Sequence, residues 1–309
     1  MSWAYERHEN EHGQEYFLVR DLDGKNSLKV FSFGATVTSW IHNNQEKLYV
    51  SENSLINGAK AIRGGIPLVF PQFGNPISHM PSHGFARLSH WIFVSFESNS
   101  DRASLSFSLS DNDATLNQWP NRFKLTYFLD ITKNGLTCRL NIHNTDDHDF
   151  SCHALFHTYF AVPDINLVDI YGLNGFSYVD KVQNLSQFTE DRDVVTISSE
   201  TDRIYNPNSS NDAHKIKLNL KTKQSPESQM QIESFATDFI ELEQHSPNAV
   251  AVPLSNVVWN PWVDKSISIA DLGVDQYKNF VCVEPGVVNQ WYNLKPAHSL
   301  ELTQILTPL

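Results

Sequence analysis

Residues 123–142 read Phe-Lys-Leu-Thr-Tyr-Phe-Leu-Asp-Ile-Thr-Lys-Asn-Gly-Leu-Thr-Cys-Arg-Leu-Asn-Ile. Phe123, Leu125, Tyr127, Leu129 and Ile131 occupy every second position among mostly polar partners, and Leu136, Cys138, Leu140 and Ile142 do the same after Lys133-Asn134-Gly135. A period of two sends successive side chains to opposite faces, so each run predicts a strand with one face buried. The Asn-Gly step between them carries turn chemistry.

The same reading extends outward in both directions. Upstream, Leu105, Phe107 and Leu109 alternate with serines; downstream, from His214 to Lys221, Ile216, Leu218 and Leu220 stand opposite Lys215, Lys217 and Asn219. That last strand would show water a cationic face. Lys29–Ile41, Phe239–Glu243 and Ser299–Ile305 also read as strands, while Tyr205–Ala213 and Gln224–Ser228 read as exposed loops. No long segment has apolar residues at helical spacing, and many strands without intervening helices predict an all-β fold, a large antiparallel β-sandwich with only short helical turns. Neither linker nor internal repeat is evident, so residues 1–309 are expected to form a single domain.

Apolar residues make up 40% of the chain and charged residues 19%, the balance of a globular protein with a real core. A formal charge of -12 sets up an average field that repels nucleic acid and anionic membrane surfaces, so neither is expected as a partner. A few arginines gathered in one cleft can still bind a small anion. Cys138, Cys152 and Cys282 lack the paired spacing of a zinc site or disulfide framework and read as reduced thiols, with no metal expected. The N-terminus lacks the apolar core of a signal peptide, and no apolar run is long enough to span a bilayer, so a cytoplasmic address is the expectation; a monomer is the expected state as well.

Three segments carry candidate chemistry. From Ile62 to Trp91 the Gly and Pro content predicts a long irregular segment holding Arg63, Gln72, His83 and Arg87 among aromatic residues, where a site on a rigid scaffold is commonly built. Arginines in such a loop can equally meet only solvent or nearby carboxylates. In Phe156-His157-Thr158-Tyr159-Phe160 one imidazole sits near an expected strand end. A lone histidine there is more often a hydrogen-bonded core residue than a catalyst, and His153, four residues earlier, lies too far along a strand for an easy chelate. In Val281-Cys282-Val283-Glu284-Pro285-Gly286 an apolar strand is expected to end in a carboxylate before a Pro-Gly turn. Desolvation would raise that carboxylate's proton affinity and improve it as a base; a glutamate pairing with an arginine to hold the turn is the alternative. Val258-Trp259-Asn260-Pro261-Trp262 would more commonly be core than a surface against a sugar face.

In this order, Arg63-Gly-Gly-Ile-Pro, Pro-Ser-His83-Gly-Phe-Ala-Arg87, Phe-His157-Thr-Tyr-Phe, Asp202-Arg-Ile-Tyr, Val-Val-Trp259-Asn-Pro-Trp and Val-Glu284-Pro-Gly cover most of the chain and resemble the hexose-6-phosphate mutarotases, a branch of the aldose 1-epimerase-like proteins. The resemblance implies a galactose-mutarotase-like β-sandwich and a cofactor-free enzyme that interconverts the anomers of a hexose 6-phosphate. It implies His157 as the acid toward the ring oxygen and Glu284 as the base at the anomeric hydroxyl. His83 would be a further contact to the ring oxygen or a hydroxyl, Gln72 a substrate contact, Asp202 a holder of sugar hydroxyls, and Arg63 and Arg87 the phosphate ligands. His157 and Glu284 would each be charged, their proximity offsetting burial. Departures from the family pattern lie at Leu254-Ser-Asn-Val-Val258 and at Val287-Val-Asn-Gln-Trp291, and bear on sugar preference. A mutarotase for unphosphorylated aldoses and a non-catalytic carbohydrate-binding β-sandwich remain as alternatives.

Overall fold

The structure, a computed structural model, describes residues 3–208, 215–223, 225–240 and 249–309. Strands Phe123–Thr132 and Gly135–Asn144 pair antiparallel, with Leu136 opposite Ile131 and Leu140 opposite Tyr127. The hairpin closes tightly because Thr132 Oγ1 accepts hydrogen bonds from the backbone N–H groups of Asn134 and Gly135, each at 3.1 Å. Its alternate residues are buried as the period of two requires. Each large aliphatic side chain so removed from water contributes roughly 1.5–3 kcal/mol before the entropy of ordering is counted.

Among the described residues three antiparallel sheets form. The largest continues from this hairpin through Arg102–Ser110 to Ile92–Ser98 on one side and through His298–Pro308, Ser225–Ile240 and Lys215–Thr222 on the other. The second runs in the order Ser186–Thr189, Ser177–Asp180, Thr201–Asn206, Ser255–Asn260, Phe280–Leu294, Phe150–Phe156 and Leu68–Val69, with Tyr159–Ala161 also pairing with Phe280–Leu294. These two sheets face each other: Tyr127 and Phe156 lie 6.0 Å apart, and Thr158 Oγ1 donates to Gln304 Oε1 at 2.9 Å. A smaller sheet begins at Trp3–Glu9 and ends at Gln45–Glu46. Among the described residues helical structure is confined to short pieces such as Asp113–Gln118, capped by Asn112.

The second sheet is covered on both faces. Val281 and Val283 point into the main core, while Cys282 and Glu284 point to the other side, where Trp259 and Val257 are their cross-strand partners. Double burial is why the run Val281–Val283 shows no alternation in the sequence.

Several expectations need correction. Lys29–Ile41 is two strands, Ser27–Phe31 and Val37–His42, because Gly34 and Ala35 take positive φ and reverse the chain. Phe280–Leu294 continues through Pro285-Gly286 without a turn; its ladder to Phe150–Phe156 runs out at the pair Leu155–Gly286, so Pro285 sits where the neighbouring strand departs and its missing N–H is tolerated. The irregular segment from Ile62 contains the short strand Leu68–Val69 and the turn Ala86–Leu88. Residues 225–228 begin a strand rather than a loop, since pairing of Thr222 with Ser225 is a backbone property that polar residues permit. The cationic face does lie toward water, with Lys215 and Lys217 exposed, and Glu233 adds a partner there at 2.7 Å from Lys215 Nζ and 3.8 Å from Lys217 Nζ. Tyr205 and Asn206 close a strand. His214, Gln224, 209–213 and 241–243 lie outside the described residues.

Candidate active site

On the outer face of the second sheet a hollow of about 290 Å³ is walled by Arg63, His83, Arg87, His157, Asp202 and Glu284, together with Phe73, Ser82, Lys181, Val257 and Trp259. That size is at the small end for ligand pockets, about 300 Å³ upward. A groove of about 340 Å³ bordered by Lys47, Phe160 and Met230 is larger, yet it gathers no histidine with a carboxylate. Six of the seven residues singled out in the sequence therefore meet in one place.

Their placement follows from the strands beneath them. Glu284 is fixed by Phe280–Leu294, and Asp202 is the cross-strand partner of Trp259 in Thr201–Asn206. His157 follows the last residue of Phe150–Phe156, and its backbone N–H donates to Pro67 O at 3.0 Å. Its ring is clamped by Tyr159 at 4.7 Å, Trp259 at 5.7 Å and His83 at 5.6 Å.

Gln72 is the residue that does not join them. It is fully buried, its amide donating to the carbonyls of Ile77, Met80 and Pro81 and accepting from the N–H of Ile77. It braces the loop from within and does not line the hollow. The same loop depends on Gly84, whose φ is +73° and where a Cβ would stand 2.1 Å from Phe70 O. Gly84 thus lets His83 and Arg87 approach the sheet.

His157 Nδ1 lies 3.2 Å from Glu284 Oε1, both side chains being almost wholly buried, 8% and 1% exposed. Among the described residues no hydrogen bond satisfies His157 Nδ1 or Glu284 Oε2. The two were expected to favour each other's charged form, and the structure reverses this. Burial first, then the positive surroundings of His83, Arg87 and Arg63, hold His157 well below the usual imidazole range. Burial first, then Asp202, pushes Glu284 well above the carboxylate range, against the opposing pull of Lys181 and Arg87. Desolvation outweighs the attraction because neither group has a shell of donors or acceptors to replace water.

His83 is likewise held well below the ordinary imidazole range, by burial and then by Arg87, Lys181 and Arg63. The Gly74 N–H donates to its Nδ1 at 3.3 Å, so the neutral ring carries its proton on Nε2 and acts as a donor. Arg63 is committed: its Nε lies 3.0 Å from Asp271 Oδ1, and its Nη1 donates to the Tyr159 hydroxyl at 3.2 Å. Arg87 is freer. One guanidinium nitrogen donates to Ser82 O at 2.8 Å, its Nε is buried without a hydrogen-bond partner among the described residues, and burial draws the guanidinium down to about 10.

His157, Cys282 and Glu284 offer potential metal-ligating atoms within 4.8 Å of one another, and half-buried Asp146 with exposed Asp147 and His148 forms a second such group. A cation entering the first would meet the positive field of Arg63, Arg87 and Lys181, which line the same hollow.

The pattern of the family described as aldose 1-epimerase matches residues 18–307. The chain belongs to the aldose 1-epimerase family. It is thereby a carbohydrate epimerase, and the fold agrees. A Salmonella typhimurium structure titled a putative mutarotase superimposes with a TM-score of 0.80 at 25% identity, over 99% of this chain and 94% of that one. Galactose 1-epimerase from Lactobacillus acidophilus NCFM shares the fold with a TM-score of 0.69 at 15% identity, over 99% and 98% of the two chains. In sequence, a Cenchrus ciliaris protein named "Putative glucose-6-phosphate 1-epimerase" is 32% identical over 277 residues, 87% of this chain and 77% of that protein. A protein of Escherichia coli (strain K12) with the same name is 31% identical over 271 residues, 86% of this chain and 82% of that one.

Sequence reasoning missed Lys181 and Asp271 in this epimerase site. Both sit in segments without distinctive composition, and only strand pairing brings Lys181 to Asp202 and only loop packing brings Asp271 to Arg63. Trp259, read as more commonly core, is half-buried and forms part of the wall.

Proposed function

We propose that this epimerase interconverts the α and β anomers of a hexose 6-phosphate, glucose 6-phosphate being the substrate to test first. The contact between His157 Nδ1 and Glu284 Oε1 at 3.2 Å, in a hollow bordered by Arg63 and Arg87, carries the reading. The names of the relatives from Cenchrus ciliaris and Escherichia coli support it.

Opening a pyranose requires a proton to leave the anomeric hydroxyl and another to reach the ring oxygen, because an alkoxide is a poor leaving group. Glu284 as carboxylate takes the first, and His157 as imidazolium supplies the second; rotation about C1–C2 and the reverse transfers close the other anomer. The pair needs one proton in total, and burial favours Glu284 over His157 as its place in the free site. Moving it to His157 makes the active form. A phosphate held by Arg87 and Arg63 offsets the positive field that disfavours the imidazolium, so the correct substrate would itself prime the acid. His83, with its proton on Nε2, donates to the ring oxygen or a neighbouring hydroxyl.

The reading includes a cytoplasmic monomer with residues 1–309 as one domain. A core cluster drawing on residues from Trp3 to Leu306 supports the single domain.

The test is exchange of glucose 6-phosphate anomers followed by NMR, corrected for the spontaneous rate and run beside unphosphorylated glucose. Acceleration of the phosphorylated sugar is expected. Equal or greater acceleration of glucose would turn the assignment toward free aldoses, and no acceleration of either would reject it.

A further inference from the structure

Lys181 is the cation of the hollow that faces an acid of the same hollow. Its Nζ lies 2.7 Å from Asp202 Oδ2, and its backbone N–H donates to Asp202 O at 2.9 Å, so the two residues are registered by main chain and side chain together. The strand Ser177–Asp180, which leads into Lys181, pairs with Thr201–Asn206, which carries Asp202. The other two cations are held elsewhere, Arg63 by Asp271 and Tyr159 and Arg87 by Ser82 O. Lys181 Nζ also stands 5.1 Å from the centre of the Phe73 ring.

We propose that Lys181 and Asp202 form a clamp for two adjacent hydroxyls of the sugar ring, which makes Lys181 a specificity-determining residue of the epimerase. An ammonium has three donors and a carboxylate two acceptor oxygens, so their mutual contact leaves capacity on both. A donor and an acceptor side by side suit a vicinal diol: the carboxylate accepts from one hydroxyl while the ammonium donates to the oxygen of the next. Phe73, beneath the ammonium, and Trp259, cross-strand from Asp202, line the same hollow and supply it with apolar surface. An ion pair on open surface would do little, but this one lines the wall of a hollow, with side chains 31% and 21% exposed. A site built to hydrogen-bond a hydroxyl rejects an analogue lacking it, because its own polar groups are then left unpaired.

The inference rests on the hexose 6-phosphate reading, so its test uses binding rather than turnover. Calorimetric titration of the wild-type protein and of Lys181→Met with glucose 6-phosphate and its 2-, 3- and 4-deoxy analogues forms a cycle between residue and hydroxyl. Glucose 6-phosphate should bind about tenfold more weakly to Lys181→Met. Two analogues lacking adjacent hydroxyls should each lose about tenfold on wild type, and one of the two should lose no more than about twofold on the variant. Lys181→Ala gives the same comparison if the methionine variant folds poorly. An equal loss for the parent sugar and every analogue, or no loss at all, overturns the clamp. Glucose 6-phosphate bound without accelerated anomer exchange would instead reject the epimerase reading and leave the clamp standing.

Discussion

His157 Nδ1 stands 3.2 Å from Glu284 Oε1, and burial disfavours the charged form of both. Close approach by itself would favour an ion pair; here the low polarity around the two groups wins, and a single proton on the pair has either partner as a home, Glu284 being the favoured one. Which home it takes decides whether the site rests or reacts.

Glu284→Gln keeps the shape of the neutral carboxyl while removing the base. Anomer exchange should fall by roughly 10² to 10⁴, with thermal stability at neutral pH unchanged or slightly raised, since a buried ionisable group is exchanged for a neutral one. Near-wild-type exchange in this variant would dismiss Glu284 as the base.

The protonation of His157 can be read directly. Its affinity for a proton is depressed, so the free protein should show a neutral imidazole at neutral pH and keep it well below pH 6.5, gaining the proton only on stronger acidification. Heteronuclear NMR of the ring nitrogens checks this. Addition of a phosphorylated ligand should shift the ring toward imidazolium, and an imidazolium already present in the free protein at neutral pH would contradict the electrostatic account.

Arg87 and Arg63 should respond differently to truncation. Arg87→Ala removes a guanidinium with a single carbonyl partner, so KM for glucose 6-phosphate should rise about tenfold or more, with little change for glucose and little loss of stability. Arg63→Ala strands the Asp271 carboxylate and the buried Tyr159 hydroxyl and should destabilise the fold by about 1–3 kcal/mol. Equal effects on both sugars in Arg87→Ala would make that arginine structural.

Acid should weaken the fold through its buried histidines. His153 accepts from the Phe73 N–H, stacks on Trp291 at 4.0 Å and is lowered by burial from 6.5 to about 4. Its folded form resists a proton that the unfolded chain accepts, so its contribution is present above pH 6.5 and is lost as pH falls toward 4, at up to about 1.4 kcal/mol per pH unit. Denaturant titrations across that range should show the slope, and His153→Gln should flatten it; an unchanged slope would refute the assignment.

Much of the fold was legible because one face of the large sheet is buried and the other is not. Leu105, Leu125, Leu129 and Leu140 announce their strands by alternation alone. Legibility fails where that asymmetry disappears. The second sheet is covered on both sides, so the sequence gives no sign of which way Cys282 and Glu284 point, and Pro285-Gly286 looks like a turn although the strand runs on. Gln72 shows the converse hazard: a polar residue inside a functional loop can serve the loop's own carbonyls.

The sequence by itself determined the all-β class, through a period of two that only strands can use, and it assembled an ordered set of motifs that names the family and nominates His157, Glu284 and their companions. Only the tertiary structure decided that these groups share one hollow, that Gln72 stands behind it, that Lys181 belongs to it, and that Asp271 holds one of its arginines. Only it set the resting charges, too. Proton affinity depends on how much water and which charges surround a group, and those are fixed by contacts between segments far apart in the chain, which no local pattern encodes.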